Sequence, residues 1–170
     1  MIFSVAPLFC VTAATPRQTI GFDGVAPVQV GMTLDQAKRV LHGKFSIQLP
    51  EDDPNGCGFL SIKGPFGPVS YMFDRGRIRR ADIDIFDPGG RKSAVKTAAG
   101  IGLGSSIADV RRAYGKRARF YPNAYDAPEP DAEIKSADGK SAIIFETSSG
   151  RVSYIRAGRL PWAEYIEGCS

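Results

Sequence analysis

Residues 30–41 of this 170-residue chain read VGMTLDQAKRVL, and residues 103–114 repeat the same pattern as LGSSIADVRRAY. In both stretches apolar residues recur every three to four positions, while a pair of basic residues falls on the opposite side. This periodicity is typical of a short helix that packs one face on a core. The sequence therefore predicts one helix over 33–42 and an equivalent helix over 106–115.

The start of each helix is marked by a capping pattern. Thr33 and Ser106 carry hydroxyl groups that can accept from the backbone N–H three residues later, and Gln36 and Asp109 can reach back to the cap. A glycine lies two positions before each cap, where it permits a sharp turn. Because helices of about nine residues are too short to be stable alone, each must pack on another element.

Four strand-like segments follow each helix. Short glycine-containing turns join the last two segments of each set, over 74–76 and 148–150, which predicts antiparallel hairpins. The alternation of apolar and polar residues changes phase in one segment, and a β-bulge near Arg79 and Arg80 would restore it. The predicted strands lie at 45–49, 58–63, 68–73 and 77–86 in the first set, and at 117–121, 132–135, 141–147 and 151–157 in the second.

These patterns predict an α+β fold of two tandem repeats, each a short capped helix followed by a roughly four-stranded antiparallel sheet. Repeat 1 is expected over 24–87 and repeat 2 over 100–169, with a linker over 88–99. A chain of 170 residues is long enough to bury a substantial core.

The first 14 residues, MIFSVAPLFCVTAA, contain no charged side chain and end in small residues. This pattern resembles the apolar core and cleavage site of a secretory signal, and it predicts a signal peptide over 1–14. No lysine or arginine precedes the apolar run, so a buried N-terminal strand is the alternative interpretation. No other stretch approaches the ~18 consecutive apolar residues that a membrane span requires, and no span is expected.

Removal of the predicted signal peptide would leave two of the three cysteines, Cys57 and Cys169. An even pair in an exported protein is most simply a disulfide, and two unrelated buried thiols are the alternative. Cys169 lies one residue from the C-terminus, where a chain frays unless it is tied down. We therefore expect a disulfide between Cys57 and Cys169 and a periplasmic or secreted location.

The repeated helix opening, V-G-M-T at 30–33 and L-G-S-S at 103–106, with an antiparallel sheet after each copy, resembles the β-lactamase-inhibitor-protein-like fold. A similar opening occurs in the small lipoprotein of the outer-membrane assembly machinery. The second half, from Gly100 through AGRLPWAEYIEGCS, also resembles uncharacterised secreted bacterial proteins that end in a Glu-Gly-Cys motif. The resemblance covers most of 24–169. It implies that the two sheets join into one continuous concave sheet that grips a protein partner.

The sequence contains no motif of a common enzyme class. The only histidine, His42, lies where the first helix is expected to end, which argues against a histidine general base. There is no GxSxG, HExxH or CxxC motif. Acids for a small carboxylate-dependent hydrolase are available at Asp126, Glu129 and Asp131, within a proline-rich loop. We expect a non-enzymatic protein without a metal or other cofactor, with that hydrolase as the lesser alternative.

The chain carries 22 basic and 18 acidic residues, a net charge of +4, with both signs interspersed. The densest basic run, RGRIRR at 75–80, is expected to protect a sheet edge or to meet an acidic surface rather than to bind nucleic acid. The function expected is binding of a protein partner outside the cytoplasm, and a structural envelope component is the alternative. Tyrosine and arginine often anchor interfaces, so the predicted partner-binding residues are Tyr71, Arg77, Arg79, Tyr154 and Arg156.

Overall fold

The structure is a computed structural model that describes residues 18–50, 56–85, 90 and 92–169. The predicted signal peptide at 1–14 lies outside these residues. Neither α-helix of the described part is long and apolar enough to cross a membrane. The elements are β1 (Thr19–Gly21), β2 (Gly24–Val25), β3 (Val28–Gln29), α1 (Leu34–Val40), β4 (Ser46–Gln48), β5 (Cys57–Gly64), β6 (Gly67–Asp74), β7 (Arg77–Asp84), β8 (Lys96–Thr97), α2 (Ile107–Tyr114), a 3-10 turn (Gly115–Arg117), β9 (Ala118–Pro122), β10 (Pro130–Lys135), β11 (Ser141–Ser148), β12 (Arg151–Arg159) and a second 3-10 turn (Trp162–Glu164).

Eight of the strands form one antiparallel sheet in the order β4-β5-β6-β7-β12-β11-β10-β9. The pairing of β7 with β12 lies at its centre and places Ile83 opposite Ile155. The other four strands form a separate sheet in the order β3-β2-β1-β8, in which β1 and β8 run parallel. The large sheet therefore joins strands from both halves of the chain.

The expected α+β fold of two helix-plus-four-strand repeats is wrong. The protein is mostly β, with 47% of residues in strands and 15% in helices, and it divides into an eight-stranded and a four-stranded sheet. Strands β1 to β3 precede the first helix, and β8 lies within the segment 88–99 that was expected to be a linker. These strands have only two or three residues each, so their hydrophobic pattern is too short to show a period.

Both helices begin with the predicted capping box. In α1 the Thr33 hydroxyl accepts from the Gln36 N–H, and the Gln36 side chain accepts from the Thr33 N–H at 2.8 Å. Ser106 and Asp109 make the same pair of contacts at the start of α2. These local predictions are confirmed, because each depends on residues only three positions apart.

The predicted β-bulge is also confirmed. Met72 pairs with Arg80 and Phe73 pairs with Ile78, so Arg79 is the extra residue of the bulged strand β7. A bulge re-aims the side chains around it.

One face of the large sheet, here called the helix face, packs against the helices and the small sheet. Burial of each large apolar side chain in such a core contributes about 1.5–3 kcal/mol. The cluster includes Leu60, Tyr71, Ile78, Ile83, Phe145 and Ile155 from the sheet, together with Ala37 of α1, Val110 of α2 and Val25 of β2.

The opposite face, here called the tail face, is crossed by the C-terminal tail, residues 160–169. Ala163 of this tail packs against Ala142 and Ile144 of β11. The end of the tail is joined to β5 by a disulfide between Cys57 and Cys169, which confirms the predicted bridge. The tail is thus held against the sheet at both of its ends.

Candidate functional site

Two cavities open on the tail face, on either side of the central β7–β12 pair. Their volumes of about 330 Å³ and 340 Å³ are at the small end of the range of ligand pockets. The β4–β7 cavity is lined by Ser46, Gln48, Ser61, Ile62, Lys63, Pro68, Ser70, Asp82, Asp84 and Tyr154. The β9–β11 cavity is lined by Arg119, Tyr121, Pro122, Ala124, Asp131, Glu133, Ile144, Arg156, Glu164 and Ile166.

Buried charged side chains cross the middle of the tail face. Asp82 and Arg156 occupy paired positions on β7 and β12, and each is only 3% exposed. The Arg80 Nε lies 2.9 Å from Asp82 Oδ1, and the Arg156 Nη2 lies 2.6 Å from Glu146 Oε1. Because an uncompensated buried charge costs several kcal/mol, each ion pair offsets the cost of burying its two charged groups.

The tail supplies hydrogen-bond acceptors to both of these arginines and an aromatic ring to the neighbouring Arg79. Arg80 Nη1 donates to the carbonyls of Trp162 and Tyr165 at 2.8 Å and 2.5 Å. Arg156 Nη1 donates to the same Tyr165 carbonyl at 3.2 Å. The Arg79 guanidinium lies over the Trp162 ring, 4.2 Å from its centroid, in a cation–π contact. These contacts and the disulfide fix the tail on the sheet.

Tyr154 and Asp82 meet in the β4–β7 cavity, where the Tyr154 hydroxyl donates to Asp82 Oδ2 at 3.1 Å. Burial raises the pKa of Asp82, while the Arg80 charge and the hydrogen bonds from Arg80 and Tyr154 oppose that shift. Burial, with the Asp82 charge adding to it, raises the pKa of Tyr154. Tyr154 is therefore a neutral hydrogen-bond donor at physiological pH.

The β9–β11 cavity contains two buried polar atoms without a hydrogen bond. Glu133 is 2% exposed; its Oε2 accepts from Arg119 Nε at 2.8 Å, whereas its Oε1 has no hydrogen-bond partner in the described part of the chain. The nearby Lys135 Nζ lies 3.6 Å from that oxygen. The Nε of Arg156 likewise lacks a partner among the residues described. Both atoms are fully buried, so they lie within the wall of the cavity and are not presented to an occupant.

Tyr121 and Asp131 are paired on β9 and β10 in the same cavity. Burial, with the Asp131 charge adding to it, raises the pKa of Tyr121 to about 12. Burial also raises the pKa of Asp131, opposed by hydrogen bonds that Oδ1 accepts from the Asn123 side chain at 2.8 Å and the Thr147 N–H at 3.0 Å. Tyr121 is therefore un-ionised at physiological pH.

Three exposed side chains, here called the tail patch, lie beside this cavity. They are Tyr125, which is 69% exposed, and Tyr165 and Ile166, which are each 44% exposed. Ile166 lines the cavity itself, and the Tyr125 hydroxyl donates to the Glu167 carboxylate, which joins the β9–β10 loop to the tail. Grouped apolar side chains rimmed by polar groups are typical of protein-interaction surfaces.

The structure does not bring the five predicted partner-binding residues together. Tyr71 is fully buried on the helix face, where its hydroxyl donates to the Val25 carbonyl at 2.8 Å, so it is not a surface residue. Arg77 is exposed at the β6–β7 turn and donates to the Gly31 carbonyl at 3.1 Å.

The other three predicted residues lie on the tail face. Arg79 stacks on Trp162, Tyr154 is half-buried in the β4–β7 cavity, and Arg156 is buried within an ion pair. None of these three is freely exposed in the described structure, because the tail and the neighbouring strands cover them.

Sequence reasoning missed Arg80, Asp82, Glu133 and Glu146. A signal exists for the first three of them. Charged residues stand at every second position in the second half of β7 and in β10, as in Arg80-Ala81-Asp82, and a strand presents every second side chain to the same face. Glu146 is the one charged residue of β11, so no alternation marks it.

Of the three acids considered for hydrolysis, Asp126 and Glu129 lie in the β9–β10 loop, whereas Asp131 lies on β10 and not in a loop as expected. All three accept hydrogen bonds from β11 or from the β11–β12 turn. Glu129 accepts from the Gly150 N–H at 3.0 Å, and Asp126 accepts from the Ser148 hydroxyl at 3.4 Å. Asp131 accepts from the Thr147 N–H as described above. Within the described ranges, no group of three or more histidine, cysteine, aspartate or glutamate side chains could hold a metal ion.

Comparison with known proteins gives no match for this chain, either among family models, among curated proteins or among solved structures. The resemblance to the β-lactamase-inhibitor-protein-like fold stays a prediction. Inference about function therefore rests on the geometry of the tail face.

Proposed function

We propose that this chain is a non-enzymatic, extracytoplasmic binding protein that engages a protein partner with the tail patch and the adjoining β9–β11 cavity. The observation that carries the proposal is the grouping of Tyr125, Tyr165 and Ile166 in exposed positions beside a polar cavity. Tyrosine is enriched among the residues that dominate binding energy at interfaces.

The rigidity of the tail supports the same proposal. Its backbone is held by Arg80 and Arg156 through the Tyr165 carbonyl, and its end is held by the Cys57–Cys169 disulfide. A surface that is already ordered loses little conformational entropy when a partner binds. The tail patch therefore has a fixed position before any partner binds.

An extracytoplasmic location is part of the proposal. It is supported by the predicted signal peptide and by the disulfide, since disulfides persist mainly in oxidising compartments.

The proposal is tested by affinity capture with matched variants. The immobilised protein is incubated with an envelope extract of the source organism, and retained proteins are identified by mass spectrometry. The double variant Tyr165→Ser/Ile166→Ser disrupts the tail patch, while Ile47→Ser/Leu49→Ser removes two other exposed apolar side chains, 37% and 39% exposed, near β4.

We expect a protein that is retained by the native chain and by the β4 control but is lost with the tail-patch variant. Retention of the same protein by both variants would show that the tail patch is not the contact. Circular dichroism and non-reducing gels confirm beforehand that both variants are folded and carry the disulfide.

A further inference from the structure

The edge of the large sheet at β9 carries a cluster of exposed basic side chains. Residues 111–119 read RRAYGKRAR, with five basic residues and no acid, and they span the end of α2, the first 3-10 turn and the start of β9. A surface with clustered charges of one sign favours association with a group of the opposite sign. All five side chains are exposed, and they are here called the basic edge: Arg111, Arg112, Lys116, Arg117 and Arg119.

Only part of this positive charge is compensated by neighbouring acids. Arg112 is paired with Asp109, and Arg119 Nε lies 2.8 Å from Glu133 Oε2. The acids of the β9–β10 loop follow the opposite end of β9 in the chain. Three members of the basic edge form no ion pair with any described residue, namely Arg111, Lys116 and Arg117.

β9 is also the last strand of the large sheet, so one of its edges has no neighbouring strand among the described residues. The Asn123 N–H donates toward β10, to the Glu129 carbonyl at 2.7 Å. The hydrogen-bonding groups of successive residues alternate between the two edges of an antiparallel strand. Those of Arg119 and Tyr121 therefore also point to β10, and those of Phe120 point to the open edge. Phe120 thus offers a backbone N–H and a carbonyl to a further strand.

The uncompensated charges gather on the helix-face side of this edge. The Arg111 guanidinium lies 4.0 Å from the centroid of the Phe120 ring, which packs against the core. The Arg117 guanidinium lies 5.5 Å from the centroid of Tyr114, at the end of α2. On the tail face, by contrast, Arg119 is already paired. A strand added at this edge sends every second side chain to the helix face, so alternate acidic residues would lie on the side of Arg111 and Arg117.

A peptide backbone fits this edge better than a phosphate does. Phe120 offers both a donor and an acceptor, and every residue of a strand except proline has both as well. A phosphate of a lipid or nucleic acid only accepts hydrogen bonds and would leave the Phe120 carbonyl to water. Pro122 has no N–H, and the Ala118 N–H already donates to the Gly115 carbonyl, so the added segment is short.

We propose that the open edge of β9 binds a short, extended, acidic segment of a protein partner as an added strand. Its backbone pairs with Phe120, and its alternate acidic side chains lie toward Arg111 and Arg117. In this mode of recognition the backbone hydrogen bonds hold the segment, and the side chains determine which sequence is preferred. The contact adds a second surface to the proposed function and uses none of the tail-patch residues.

The test uses synthetic peptides and does not require the partner. Isotope-labelled protein is titrated at low salt with a capped heptapeptide in which three glutamates alternate with valine and threonine. One control peptide has glutamine in place of each glutamate, and another keeps the glutamates but is N-methylated on its five central residues. Binding is followed through the backbone amide resonances of Phe120 and its neighbours. Phosphatidylglycerol vesicles and a single-stranded oligonucleotide are further arms, and sedimentation equilibrium measures self-association.

Two double variants locate the binding. Arg111→Gln/Arg117→Gln removes two exposed charges of the basic edge that form no ion pair with a described residue. Arg39→Gln/Lys44→Gln is the matched control, because it removes two exposed basic side chains near the end of α1 that likewise form no ion pair within the described ranges. Circular dichroism confirms beforehand that both variants are folded.

We expect saturable shifts centred on Phe120 with the glutamate peptide and native affinity in the α1 control. Binding should be at least about fivefold weaker in Arg111→Gln/Arg117→Gln and with the glutamine peptide, and it should be lost on N-methylation. Equal binding of the N-methylated peptide would overturn the added strand, because charge alone would then account for the contact.

Absence of peptide binding would also overturn the proposal. Vesicle or oligonucleotide binding that is lost in Arg111→Gln/Arg117→Gln would then assign the basic edge to phosphate. A dimer that becomes a monomer in the same variant would assign it to a second copy of the chain. The tail-patch variant of the capture experiment leaves the basic edge intact, so failure of this contact and failure of the proposed function are distinguishable.

Discussion

Arg156 and Glu146 form an ion pair inside the tail face, with Arg156 Nη2 2.6 Å from Glu146 Oε1 and Arg156 only 3% exposed. We expect Arg156→Met to lower the free energy of unfolding by about 3 kcal/mol, since it leaves Glu146 without its counter-ion in a largely buried position. Urea unfolding at neutral pH measures the loss. Lys38→Met is the control, because Lys38 lies 3.8 Å from Asp35 in an exposed pair and is expected to change stability by less than about 0.5 kcal/mol. A loss below about 1 kcal/mol for Arg156→Met would contradict the prediction.

Gly158 of β12 is expected to tolerate no side chain. A Cβ at this position would lie 2.3 Å from the Arg79 carbonyl oxygen and 2.5 Å from Arg80 Cα, so the β7–β12 pair would have to separate. We expect Gly158→Ala to destabilise the protein by about 3 kcal/mol or to prevent folding. Gly64→Ala is the matched strand control, since its Cβ would meet nothing closer than 3.9 Å. Similar stability of the two variants, measured by thermal unfolding, would refute the close approach.

The disulfide is expected to contribute much of the stability of the tail. It joins residues 112 positions apart, and closure of so long a loop corresponds to about 5 kcal/mol in the chain-entropy model. We expect Cys169→Ser to lower the free energy of unfolding by up to this amount. The fluorescence of Trp162, the one tryptophan of the chain, is expected to shift to the red as the tail loosens from Arg79. An unchanged spectrum in a folded Cys169→Ser variant would show that the arginine contacts hold the tail without the bridge.

We expect the titration of Asp131 to lower the free energy of unfolding as the pH rises. This direction is opposite to that of an ordinary surface acid. Burial raises the pKa of Asp131, so the folded state binds its proton more tightly than the unfolded chain does. Its contribution to stability is therefore present near pH 4 and is lost as the pH rises through the folded-state pKa. Asp131→Asn keeps an oxygen that can accept from Asn123 and Thr147 but removes the titration. We expect the native protein to gain stability relative to this variant as the pH falls from 7 to about 4.

Asp138→Asn is the control for that measurement. The Ser136 hydrogen bond lowers the pKa of Asp138, so its contribution is present at neutral pH and is lost as the pH falls below about 4. The two variants should therefore differ from the native protein with opposite dependence on pH. Parallel stability curves for the native protein and Asp131→Asn would contradict the buried environment of Asp131.

Features that depend on neighbouring residues could be predicted from the sequence. The capping boxes at Thr33 and Ser106 are patterns of four residues, and the bulge at Arg79 follows from a change of phase within one strand. The Cys57–Cys169 bridge followed from counting the cysteines of a presumed exported protein, since only one pair remained.

Features that depend on what covers a strand could not be predicted in the same way. Tyr71 and Met72 are adjacent on β6 and both are fully buried, so alternation does not reveal that Tyr71 belongs to the helix face. Arg80 is charged, which suggests exposure, yet the tail buries it through carbonyls more than 80 positions away. The four-stranded sheet was missed because β2, β3 and β8 contain two residues each.

The central position of the β7–β12 pair has a consequence for how the molecule assembles. Strands β5 to β7 are neighbours in the chain and can pair early, but β7 keeps an open hydrogen-bonding edge until β12, near the C-terminus, has been synthesised. Open strand edges promote aggregation, and pairing of strands far apart in sequence is slow. A strand that emerges late thus completes the sheet, and a chain that stops before residue 151 would leave the aggregation-prone edge of β7 exposed.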